Sequence, residues 1–189
     1  RRGNQKICQI ISALKFISYK DKYSIMGLPP YENIERDVQN LSEFGFTETQ
    51  FDTVKAYMGK IYSLLDELNQ YKDSTYNTES RKAIYKILDD IKVYAELLDE
   101  ALLGIQDEVV KRRPEPADLN YGMFNWYVWR AQIEVAQDIK WDAVNLQEKM
   151  RFVINLSRDL DEFIRDSKEK LRKLENLINT IFKHTSRHI

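Results

Sequence analysis

Ile84-Tyr85-Lys86-Ile87-Leu88-Asp89-Asp90-Ile91-Lys92-Val93-Tyr94-Ala95-Glu96-Leu97-Leu98-Asp99-Glu100-Ala101-Leu102-Leu103-Gly104-Ile105 is the stretch that decides the fold. Ile84, Leu88, Ile91, Ala95, Leu98, Leu102, Ile105 and then Val109 alternate in steps of four and three. On an α-helix those steps stack side chains into one stripe, a heptad seam that must be covered by other helices. The spacing predicts a helix over residues 78–111, about 50 Å long at ~1.5 Å per residue.

The same period recurs on both sides. Ile7, Ile10, Leu14 and Ile17 predict a first helix over 4–26, stopped by Gly27-Leu28-Pro29-Pro30. A short second helix opens at Tyr31, with acids in its first turn, and ends near Phe44-Gly45. Thr47-Glu48-Thr49-Gln50 fits a capping box for a third helix reaching Tyr71. Its seam is Phe51, Val54, Met58, Ile61, Leu65 and Leu68, and a polar loop over 72–77 follows.

Downstream, Arg113-Pro114-Glu115-Pro116 breaks the chain, and a fifth helix starts near Asp118. A sixth is expected over 142–183, with a seam of Leu146, Met150, Val153, Ser157, Leu160, Ile164, Ser167, Leu171, Leu174, Ile178 and Ile181. Continuity between the fifth and sixth through Ile139-Lys140-Trp141 stays open at this point. Gly and Pro, which punctuate turns, number only 6 and 4, so the elements must be long. With 189 residues, 43% of them hydrophobic, the chain can bury a core without disulfides. The expectation is an all-α, single-domain helical bundle over 1–189, with the tail 184–189 fraying.

Charge and side-chain inventory narrow the chemistry. Net charge is -1, which supplies no general field for phosphates, so no nucleic-acid partner is expected. The single cysteine, Cys8, lies in an apolar helical stretch and reads as a small buried hydrophobe. His184 and His188, the only histidines, fall in the tail, away from any candidate nucleophile. There is no Glu-x-x-His pair, no zinc ligand set and no phosphate loop, so no catalytic, metal or cofactor site is expected and the chain is read as no enzyme. No apolar run approaches the ~20 residues of a membrane span. The chain begins at Arg1, which suggests processing or trimming that would have removed any targeting signal.

Two features remain. Lys111-Arg112-Arg113 closes the long helix, where cations suit the C-terminal dipole. Phe124-Asn125-Trp126-Tyr127-Val128-Trp129-Arg130 is the more informative. On a helix, Phe124, Tyr127, Val128 and Ala131 share one face, and Trp126, Trp129, Arg130 and Ile133 an adjacent one. One core-facing stripe cannot fully bury both sets, so either the run is buried between several helices or part of it is exposed and anchors a partner. The expectation is that Trp126 or Trp129, not both, reaches solvent with Arg130 beside it. Trp126, Trp129 and Arg130 are therefore the candidate partner-binding residues, because Trp, Tyr and Arg dominate interface hot spots. Asn125 and Gln132 are expected on the polar side, with little role.

Pro30-Tyr31-Glu32-Asn33-Ile34-Glu35-Arg36-Asp37-Val38-Gln39 resembles the Pro-Tyr-acid-x-Ile-acid-x-Asp-aliphatic-Gln stretch of the helical outer-surface lipoproteins of Lyme-disease Borrelia, the family typified by the complement regulator-acquiring surface protein CspA. The likeness extends through the helix from Phe51 to Leu65 and through Thr75-Tyr76-Asn77, Ala83-Ile84-Tyr85 and Gly104-Ile105-Gln106, covering roughly residues 15 to 110. The resemblance implies a bundle of about six or seven helices around a long C-terminal helix. It implies an extracellular, lipid-anchored position on the outer membrane, with the anchor outside this sequence. It also implies a non-enzymatic role in complement or immune evasion, by binding a host or tick protein such as complement factor H or terminal complement components. The Trp-rich segment departs from the family pattern, so the resemblance does not assign the partner. The alternative reading is an intracellular helical scaffold that assembles through its heptad seams. Ser157 and Ser167, placed in a seam that a tight coiled coil would fill with aliphatics, predict a monomer or at most a weak homodimer.

Overall fold

The computed structural model describes residues 51–112, 127–152 and 155–185. The first two expected helices, Cys8, the capping box at 47–50, the Pro-Tyr stretch, Phe124, Trp126 and His188 lie outside the described residues, as do the side chains of Val109, Ile181 and His184. Among the described residues every regular element is helical, and the chain is all-α as the spacing requires.

Helix α1, Asp52–Asn69, buries Val54, Met58, Ile61, Leu65 and Leu68, with Phe51 buried just before it. It closes where the backbone N–H groups of Gln70 and Tyr71 donate to the Glu67 and Leu68 carbonyls, both at 3.1 Å. Three residues per closing bond tighten the last turn and free the chain to reverse. Helix α2, Thr78–Arg112, spans 35 residues. Asn77 starts it: its Oδ1 accepts from the Glu79 N–H at 2.9 Å, and its carbonyl accepts from the Arg81 N–H at 2.9 Å. This is an N-cap, which satisfies an amide that the helix itself leaves bare. The seam from Ile84 to Ile105 is buried throughout, and Ile87 widens it.

The last seam corrects the expected sixth helix. Residues 127–131 are helical, a π turn spans Gln132–Gln137, and α3, Asp138–Lys149, follows directly. The chain is therefore continuous through Ile139-Lys140-Trp141. The break comes later. The Arg151 and Phe152 N–H groups donate to the Glu148 and Lys149 carbonyls at 3.2 and 2.9 Å, and Asn155 takes a left-handed backbone at φ 50. Asparagine enters that region more readily than most residues. Helix α4, Leu156–Thr185, then runs for 30 residues.

Side-chain pairs between the helices give the topology. Tyr57 meets Tyr94 across α1 and α2 with ring centroids 6.2 Å apart. Gln147 reaches Tyr85 and Asp89, and Gln137 reaches Asp99, so α3 runs antiparallel to α2. Lys170 of α4 meets Asp138 and Asp142 of α3. The Tyr62 hydroxyl donates to the Lys168 carbonyl, and Lys168 and Lys72 pair with Asp66 and Asp161, which lays α4 antiparallel along α1. The four described helices thus form an up-down-up-down ring, with Ile61, Leu65, Leu88, Ile91, Leu98, Ile139, Leu160 and Leu171 in its core.

Ser167 is fully buried in that core, and its Oγ has no hydrogen-bond partner among the described residues. A buried hydroxyl left unpaired costs about 1–3 kcal/mol of desolvation. Ser167→Ala removes the hydroxyl and little volume. The expected result is unchanged or higher thermal stability, by up to ~1 kcal/mol or ~2–4 °C. A melt lowered by several degrees would show that the hydroxyl is satisfied in solution.

Candidate protein-binding face

The aromatic run divides between core and surface. Tyr127, Val128 and Ala131 are buried, as their shared face predicts. Trp129 is 36% exposed, and Trp126 lies outside the described residues. Arg130 departs from the expectation. It is only 6% exposed, with its Nε and Nη2 donating to Glu134 Oε1 at 3.2 and 3.0 Å. A guanidinium can be buried when a carboxylate one turn along the same helix meets its fork. Burial pushes the Glu134 carboxyl above its usual range, while Arg130 pulls it back. Arg130 is therefore buried with its guanidinium paired along its own helix and is not a solvent-facing companion of Trp129.

The π turn changes which residues share a face. Trp141 follows Trp129 by twelve positions. In an uninterrupted α-helix their directions would differ by about 120°. A π turn inserts one residue into the winding, which removes about 100° and leaves them roughly 20° apart. The two rings thus stand on one side of the helix, about 17 Å apart along its axis. Trp141 is 50% exposed, and Lys140 Nζ lies 5.6 Å from its ring centroid while pairing with Glu96 of α2. Trp141 was not among the sequence candidates, because plain α-helical spacing sets it on a different side from Trp129.

Neighbouring contacts fix this face. Gln137 Nε2 donates to Asp99 Oδ2 at 2.8 Å, and Gln132 Nε2 donates to the Asp99 carbonyl at 3.3 Å. Gln132 is thus a clamp on α2 and not the idle polar residue expected. Leu103, one turn beyond Asp99, lies level with the turn that carries Trp129 and is 47% exposed. Trp129, Trp141 and Leu103 give the surface three large apolar groups on two helices that are braced against each other.

No protein-family model, curated protein or solved structure matches the chain. Among the described residues, no group of three or more His, Cys, Asp and Glu side chains is placed to hold a metal ion. No described helix is long and apolar enough to cross a membrane. What the geometry offers is a rigid aromatic surface, and burying an exposed Trp against a partner releases water from a large apolar ring at little cost in side-chain entropy.

Proposed function

We propose that this chain is a non-enzymatic protein-binding domain whose contact face carries Trp129 and Trp141. The observation that supports this reading most is the π turn, which aligns two exposed indoles that ordinary winding would separate. The resemblance of residues 30–39 extends the proposal to a spirochaetal surface lipoprotein of about six or seven helices. In that setting it would be lipid-anchored outside the outer membrane and would bind a host or tick protein, with complement evasion as its use. The scaffold alternative needs free seams for assembly. The α2 seam from Ile84 to Ile105 is already consumed inside the bundle, which weighs against it.

The test is retention of serum proteins by the immobilised domain. Factor H or a terminal complement component should be retained at micromolar concentration. Trp129→Ala with Trp141→Ala should reduce retention by tenfold or more, the scale of losing a hot-spot residue at ~1.4 kcal/mol per factor of ten. Failure to retain any serum protein would overturn the complement reading. Undiminished retention by the double variant would move the site off this face.

A further inference from the structure

A cleft of about 360 Å³ opens at the far end of α2, between its first turns and the end of α3. Its walls include Arg81, Lys82, Tyr85, Gln147, Met150 and Arg151. Three of these six carry positive charge. Arg81 spends its guanidinium on two neutral carbonyls: Nη1 donates to Thr75 at 3.1 Å and Nη2 to Met150. Those bonds position the guanidinium, and no carboxylate among the described residues pairs with it. Arg151 has no acidic partner among the described residues, and Lys82 meets Glu79 only at 3.7 Å with both side chains in water. Asp89, which accepts from the wall residue Gln147, is also engaged by Lys92, and both hold its carboxyl below the usual range. Beside the cations, the walls are predominantly apolar. Phe152, next to Arg151, is 72% exposed, and Tyr76, next to the carbonyl that Arg81 holds, is 84% exposed.

We infer that this cleft takes an acidic side chain of a partner protein, with a neighbouring apolar residue of that partner on the exposed aromatic rings. A carboxylate on a hydrocarbon stem matches cations set in an apolar wall; Arg–carboxylate hydrogen bonds are among the stronger ones, and Arg and aromatic residues are enriched at interfaces. The volume suits one or two side chains and not a polyanion, which would need a track of cations. Lys82 and Leu103 lie 21 residues apart on α2, so the cleft is about 30 Å from the Trp129 end of the first face, while Trp141 precedes the wall residue Gln147 by six positions, about 9 Å along α3. It is a second contact surface, distinct from the Trp129 end of the first.

The test uses the 15N-labelled domain titrated with an acetylated, amidated Leu-Glu-Phe-Glu-Leu peptide, with inorganic phosphate and phosphatidylglycerol vesicles in parallel. The peptide should shift the amides of Tyr85, Gln147 and Arg151. Lys82→Glu with Arg151→Glu should weaken it about tenfold or more, because both substitutions reverse a facing charge. Arg81 is left in place since it ties two turns together, and a thermal melt verifies that the double variant is folded. Trp129→Ala, at the far end of the first face, should leave peptide affinity unchanged, which separates this proposal from the serum-binding face. No shift at these amides, affinity unaltered by charge reversal, or equal or stronger shifts from phosphate or vesicles would each overturn it.

Discussion

Leu98→Ala is expected to destabilise the domain by ~2–5 kcal/mol, the range for deleting a large buried aliphatic and leaving a cavity. Leu98 is 0% exposed at the middle of the α2 seam, flanked along it by Ala95 and Leu102. Helix α2 packs against both α1 and α3, so both neighbours would have to move inward to fill the space. Closely packed interiors relax only in part, which keeps the cost high. At roughly 2–4 °C per kcal/mol for a chain of this size, the melt should fall by about 4–20 °C. Leu103→Ala is the control. Its side chain is half exposed, five residues along the same helix, and should change stability by less than about 0.5 kcal/mol. Equal shifts for the two variants would mean that the seam is not the buried stripe of α2.

The seam residues were legible in the sequence because burial is what their spacing encodes. Every seam residue from Val54 to Leu68 and from Ile84 to Ile105 is buried where the period puts it. The turn at 150–155 was not legible for the same reason. Met150 and Leu160 are ten residues apart and both buried, so the apolar period runs through the reversal as though the helix continued. No Gly or Pro marks the turn; among its described residues Asn155 takes a left-handed backbone. The candidate face was read in part. Trp129 was found from crowding on two helical turns, whereas Trp141 depended on the π turn, which leaves no trace in residue type. Arg130 was misplaced because its direction depends on Glu134, four residues on, and an i,i+4 pair reads equally well as a solvated one.

Lys170→Ala should cost ~1–3 kcal/mol at pH 7.5, and less at pH 5. Lys170 Nζ lies 2.6 Å from Asp138 and 3.2 Å from Asp142, joining α4 to α3. Losing one partner of a fully buried pair costs about 3–5 kcal/mol, and the figure here is lower because Asp142 remains partly in water. Burial works against the Lys170 charge, but its bonds to the two aspartates hold its pKa above the ordinary lysine value. Its contribution is therefore present below that value and is lost as pH rises through the raised one. Burial pushes the Asp142 carboxyl upward, with Asp138 and Asp166 adding to this and Lys170 opposing it. A raised carboxyl stabilises the fold fully below the ordinary carboxylate pKa and loses that contribution as pH rises through its folded value. Without Lys170, Asp142 rises further and takes up a proton at a milder pH. Acidification to pH 5 then relieves the repulsion between Asp138 and Asp142, and the variant recovers part of its loss. Adding Asp142→Asn should recover a similar part at pH 7.5 by removing one of the two charges. Thermal melts of the wild type and both variants at the two pH values decide it. A loss for Lys170→Ala that is the same at pH 5 and pH 7.5 would assign the effect to the missing aliphatic stem and not to the charge.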